Sequence, residues 1–270
     1  MRNLMKPAHI VLAGALVAVA ALPVAAQGST TWNWSGQLGE GRTVYLRNVN
    51  GAVRIEQGSG NTVEVRAEKR WRRGDPDWVR LEARVAGGGS GDVFICALFS
   101  ERATCDEQGY HGNSNGDRDR RQRDNDVSVT FVLKVPASAR VNASTVNGGL
   151  EVTGTRGEII ARTVNGNIDA RSTSGRVEAS TVNGDIDVRT SVKGADGVEY
   201  HTINGSITIE LDANAAADVD LSTVNGRISS DFPMTLDGNI NPRRIRATIG
   251  AGGASIRART VNGSVRIRKP

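Results

Sequence analysis

The sequence predicts an all-β protein: a β-solenoid of stacked 18–21-residue coils, two strands or more per coil, behind an N-terminal β cap. Three observations carry that prediction. The tetrapeptide TVNG stands at 145–148, 163–166, 181–184, 223–226 and 260–263, with TING at 202–205 and NVNG at 48–51. Its last glycines recur on a regular step: Gly148, Gly166 and Gly184 are 18 residues apart, and Gly184, Gly205 and Gly226 are 21 apart. After each glycine, apolar and polar residues alternate, as a strand with one buried face requires.

The alternation is consistent across the repeats. Leu150, Ile168, Ile186, Ile207, Ile228 and Val265 come two residues after the glycine, and Val152, Ala170, Val188, Ile209, Ser230 and Ile267 come four after. Between them stand the polar Glu151, Asp169, Asp187, Thr208, Ser229 and Arg266. Gly157 and Gly175 fall nine residues after Gly148 and Gly166, so each coil divides into two units. Nine is odd, so a corner must reset the side-chain parity once per unit. The predicted corners are Asn147-Gly148, Asn165-Gly166, Asn183-Gly184, Asn204-Gly205, Asn225-Gly226 and Asn262-Gly263. Asn-Gly also signals hairpins, which keeps an antiparallel β meander or sandwich as the alternative. The solenoid is preferred because similarity is strongest between residues 18 or 21 apart, which stacking would superpose in columns.

Within TVNG, the threonines (Thr145, Thr163, Thr181, Thr202, Thr223, Thr260) keep the parity of the inward residues and should close the strand. The asparagines fit either of two roles: a left-handed turn residue, or an inward amide ladder. Simple alternation points Val146, Val164, Val182, Ile203, Val224 and Val261 outward. Their uniform apolarity argues that the corner begins early and tucks them in, which is the expectation here.

Residues 1–26 read as a signal peptide: Arg2 and Lys6, an apolar run from Ile10 to Leu22, then Val24-Ala25-Ala26 before the cut. No later segment reads as a membrane span. Residues 27–140 read as cap and irregular coils, with a polar insertion at about 87–126, and residues 141–270 as the repeat solenoid. Cap strands are expected near Thr43–Arg47, Ala52–Glu56, Thr62–Ala67, Arg80–Val85 and Val127–Val135. Losing Arg2 and Lys6 lowers the formal net charge from +5 to +3, a weak imbalance with both signs mixed along the chain. An exported chain with few aromatics beside its basic clusters excludes nucleic acid as a partner. Cys96 and Cys105 are the two cysteines, and in an oxidising compartment they should pair.

The stretch LKVPASARVNASTVNGGLEVTGTRGEIIARTVNGNIDARSTSGRVEASTVNGDIDV, its Val135-Pro136, and the closing TVNGSVRI resemble the DUF4097 family of bacterial strand-repeat proteins named as candidate adhesins. The resemblance runs over roughly residues 40–270. It implies a β-solenoid exported to the envelope or surface, and it carries over no catalytic residues.

The search for chemistry is mostly negative. Gly112–Gly116 matches G-x-S-x-G, but without the buried strand before and helix after that the motif needs. His111 and His201 are the imidazoles left after the leader, and His201 reads as a surface residue. The column Glu151, Asp169, Asp187 would sit at strand spacing on an outer face, where Arg171 and Arg189 could neutralise it. Catalytic residues, metals and cofactors are expected to be none. The expected function is an exported, non-enzymatic, adhesin-like binding or scaffolding surface in the cell envelope, facing an envelope polymer, a glycan or an envelope protein. Exposed Arg171, Arg189, Arg227, Arg266 and Arg268 are the candidate binding residues. The alternatives are a polysaccharide-active enzyme using the acidic column, and an accessory to envelope-stress signalling.

Overall fold

A computed structural model describes residues 28–87, 89–112, 125–172, 174–191, 197–238 and 241–270. The leader, and the G-x-S-x-G match beyond Gly112, lie outside the described residues. From the N-terminal side, β1 (Gly28–Gln37) precedes a first coil of β2 (Thr43–Arg47) and β3 (Val53–Gln57). Strands β4 (Thr62–Trp71), β5 (Arg80–Val85) and β6 (Val93–Leu98) follow. A small hairpin of β7 (Thr104–Cys105) and β8 (Tyr110–His111) leads on to β9 (Ser128–Val135). Regular coils then pair β10 (Arg140–Ser144) with β11 (Leu150–Thr153), and β12 (Ile159–Arg162) with β13 (Ile168–Arg171). They continue as β14 (Val177–Ser180) with β15 (Ile186–Arg189), and β16 (Val198–His201) with β17 (Ile207–Glu210). The C-terminal part holds β18 (Ala217–Ser222), β19 (Ile228–Ser230), β20 (Met234–Leu236), β21 (Arg244–Ile249), β22 (Ala254–Arg259) and β23 (Val265–Arg268).

The chain is a flattened β-solenoid. Each regular coil lays one strand in each of two sheets, ordered β1-β4-β9-β3-β11-β13-β15-β17-β23-β19 and β20-β21-β18-β22-β16-β14-β12-β10-β2-β6-β5. Ile168 lies beside Ile186 and Ile186 beside Ile207 in parallel register, which is coil-on-coil stacking and not a meander. The inward residues alternate large and small, with Ile159, Ala161, Ile168 and Ala170 in one coil, all fully buried. A narrow two-layer core of this kind has little room for aromatics; Phe131 and Tyr200 are the largest fully buried side chains.

Among the described residues, antiparallel pairing in the two sheets is confined to the ends. There β4 joins β1 and β9, β5 joins β6, and β21 joins β18 and β20. These strands close the open ends that a stack of parallel coils would otherwise present to solvent. Strand β6 arises inside the stretch read as polar, and all six of its residues are buried. Its outward side is covered by the β7–β8 hairpin, tied down by the disulfide between Cys96 and Cys105 and by Tyr110, whose hydroxyl accepts from the Phe99 amide at 3.1 Å.

The coils do not all stack in chain order, contrary to the simple reading of the repeat. Strands β22 and β23, the last in the chain, insert between the β16/β17 coil and the β18/β19 coil. The inward residues explain this. Val265 and Ile267 are fully buried, whereas β19 offers Ile228 and Ser230 at the same positions and both stay half-exposed. The more apolar coil takes the interior place, and the coil with a serine in its core column takes the end.

Candidate functional site

The TVNG corner is built alike in every coil. The threonine is buried, and its hydroxyl donates to the corner-glycine carbonyl of the adjoining coil: Thr163 to Gly148 at 2.9 Å, Thr202 to Gly184 at 3.0 Å, Thr260 to Gly205 at 2.8 Å. The backbone stays paired through the turn, with the Asn183 amide donating to Val164 and the Gly166 amide to Asn183. The next two side chains, valine and asparagine, both lie on the convex side. The parity reset falls on that pair.

This overturns the tucked arrangement of the valines. Val146, Val164, Ile203 and Val224 are 38%, 39%, 37% and 51% exposed, and Val182 and Val261 are half-buried. The inward position before them is already filled by threonine, so the corner cannot begin earlier. The asparagines form a ladder, but an exposed one. Asn147, Asn165, Asn183 and Asn204 each donate Nδ2 to Oδ1 of the previous coil's asparagine at 2.7–2.9 Å. The series continues through Asn262 and Asn225. None is left-handed, since no non-glycine residue described has positive φ. One edge of the solenoid is therefore a straight ridge of β-branched methyls and carboxamides, repeating at about 4.8 Å per coil.

The outer face of the first sheet carries the predicted acidic column and most of the predicted arginines. Glu151, Asp169 and Asp187 are adjacent in register. Each is engaged: Glu151 by Arg54 at 2.8 Å, Asp169 by Arg171 at 2.8 Å, and Asp187 by Arg171 at 3.6 Å and Arg268 at 3.5 Å. The Asp169 carboxylate raises the Arg171 pKa further above its usual value. Arg189 bonds Glu210, its neighbour in register, at 3.4 Å instead of Asp187, and Arg266 bonds Asp231 at 3.3 Å. Of the five candidate arginines, only Arg227 has a guanidinium with no ion pair among the described residues. The face is a charge-balanced ladder, and no cluster of three metal-ligating side chains occurs among the described residues. Unfolding curves recorded with added calcium and with chelator are expected to superimpose; a melting point raised by calcium would show that the carboxylates prefer the cation to their arginines.

The imidazoles take no catalytic geometry. His111 Nε2 lies 2.9 Å from Asp106 Oδ1 within the small hairpin, and that bond holds the Asp106 carboxyl below its usual pKa. His201 is exposed on the second sheet, in the column that runs beside the ridge. In that column Arg162, Ser180, His201 and Arg259 are successive neighbours in register. Neither Arg162 nor Arg259 makes an ion pair among the described residues, a feature sequence reasoning missed. Both occupy the position before the corner threonine, where the other coils have Ser144, Ser180, Ser222 or His201. The repeat could have exposed them, had that position been read as a column.

Among curated proteins no significant match was found. Among solved structures, a candidate cell adhesion protein from Clostridium sporogenes is similar at 10% identity and TM-score 0.47, over 89% of this chain and 100% of that one. A candidate adhesin from Bacteroides fragilis is similar at 11% identity and TM-score 0.24, over 89% and 97%. A candidate lipid-binding protein from Parabacteroides distasonis gives 11% identity and TM-score 0.30, over 89% and 96%. The family model described as Toastrack DUF4097 matches residues 137–268, the part built from the stacked TVNG coils. Over those residues the chain is similar to the Toastrack DUF4097 family.

Proposed function

We propose that this protein is an exported, non-enzymatic β-solenoid that works as an adhesin-like binding or scaffolding surface in the bacterial cell envelope. The observation that carries the reading is the corner ridge: β-branched and carboxamide side chains left exposed in register. A fold with only itself to stabilise gains nothing from an apolar row in water, whereas a partner surface gains contact area from it. The apolar leader and the disulfide support export to an oxidising compartment. The arginine pairing along Glu151, Asp169 and Asp187 weighs against an enzyme that would need those carboxylates free.

The test is binding of the purified mature chain to envelope fractions across a salt series. Retention that weakens as salt rises is the expected result for a surface carrying exposed arginines. No retention on any envelope fraction would overturn the proposal, as would retention that salt does not change.

A further inference from the structure

The ridge is not electrically neutral. The column flanking it on the second sheet runs Ser144, Arg162, Ser180, His201, Arg259 and Ser222 in register, with no carboxylate. At one end of that column lies Arg47, only 2% exposed and roofed by the β7–β8 hairpin; its guanidinium donates to the Glu107 carbonyl at 2.8 Å. Burial lowers the Arg47 pKa first, and the nearby Arg162 charge lowers it further. At the other end Arg243 donates to the Val224 carbonyl at 2.7 Å, which sets a further guanidinium on the ridge, and Arg227 follows the last-stacked corner. Asp185 is the one carboxylate among the residues that directly follow the corner glycines on the other flank. Glu178, Glu199 and Asp220 lie one column farther out on the second sheet; Arg176 holds Glu178 and Arg244 holds Asp220.

The first-sheet arginines Arg54, Arg171, Arg189, Arg266 and Arg268 lack this freedom, because each pairs with a carboxylate. Arg162 and Arg259 therefore leave free positive charge beside the ridge, where the repeat corners present it in register. The asparagine ladder adds a second, geometric element. Each carboxamide uses one N–H and its oxygen within the ladder, so a second N–H per coil faces solvent at a constant step of about 4.8 Å. Seven corners, from Val49 to Val224, extend the ridge over about 29 Å. A ligand that matches a constant step over such a length is a regular polymer. The alternating methyls fit the C–H faces of sugar rings, and the flanking arginines fit carboxylates.

We infer that the TVNG ridge, with Arg162 and Arg259 beside it, binds a linear carboxylate-bearing polysaccharide laid along the solenoid axis. This rests on the envelope-surface reading above, and it names the site and ligand class.

The experiment compares two charge-matched double variants at physiological salt, where charges more than about 8 Å apart are largely screened. Polygalacturonate is the probe, dextran the neutral control and phosphatidylglycerol vesicles the lipid control. Circular dichroism and thermal unfolding first confirm that both variants keep the β fold. Arg162→Gln with Arg259→Gln is expected to weaken polygalacturonate binding at least tenfold. Arg171→Gln with Arg268→Gln is expected to change it less than twofold. Equal losses from both pairs would overturn the ridge as the site, and equal binding of dextran would overturn recognition of charge. Vesicle binding without polygalacturonate binding would transfer the site to membranes and overturn the ligand class. Envelope fractions bound while polygalacturonate is ignored would sink this inference alone. Failure to bind either would sink the envelope-surface reading with it.

Discussion

Gly148→Ala is expected to destabilise the solenoid by about 3 kcal/mol, while Gly149→Ala next to it stays within about 1 kcal/mol of the parent. A methyl at Gly148 would overlap the carbonyl of Gly51 in the coil below, and the equivalent methyl at Gly166 would overlap the carbonyl of Gly148. Backbone cannot swing aside as a flexible side chain can, because the corner amides on both coils are hydrogen bonded across the stack. A methyl at Gly149 meets only the Asn167 carbonyl at 3.3 Å, a contact that a shift of a few tenths of an ångström relieves. For a chain of this size the Gly148 change corresponds to a fall in melting temperature of roughly 10 °C. Parallel urea and thermal unfolding of the two variants measures the difference. Equal stability would mean that the corners have room to separate, and that the glycine is not there for close approach.

The same corner shows how far the sequence could be read. Period-two alternation placed the inward residues correctly because burial is decided residue by residue: Ile168, Ala170, Ile186 and Val188 each go inside. The parallel register followed from identical residues recurring at 18 and 21. What alternation could not place was the parity break. Whether it falls before or after valine depends on which hydroxyl satisfies which carbonyl in the next coil, a contact between residues 15 or more positions apart. The threonine-to-glycine bonds fix that choice, and they leave valine and asparagine together outside. Some ion pairs were hidden for a similar reason. Arg266 and Arg268 look free in a linear string, yet their partners Asp231 and Glu210 come from other coils. Strand β6 was hidden by its flanks: six buried residues sit between glycine-rich and charged segments that dominate the local composition.

Deleting residues 251–270 should cost far more than one terminal coil. In a solenoid stacked in chain order, removing the last coil exposes one new end and leaves the rest standing. Here β22 lies between β16 and β18, and β23 lies between β17 and β19. The deletion takes out an interior coil with Ile256, Ala258, Val265 and Ile267, all fully buried. It uncovers Tyr200, Ile207 and Ile209 on one side and strips Val219 and Leu221 of their parallel neighbour on the other. Strands β18 and β21 would then keep only their mutual antiparallel pairing and β20, a short ribbon too small to hold structure alone. Closing the gap would require β18 to pair directly with β16, where Val198 and Tyr200 would meet Val219 and Leu221 in place of Ile256 and the much smaller Ala258. The bulkier pair at Leu221 opposes that close contact beside a fully buried tyrosine. Hydrogen exchange on the truncated chain should therefore show residues 212–250 unprotected as a block, with protection retained from β2 through β15. Limited proteolysis should cut first in that block. Protection persisting in β18 and β21 would show that the two halves can rejoin without the inserted coil, and that its interior position is a matter of order of folding and not of stability.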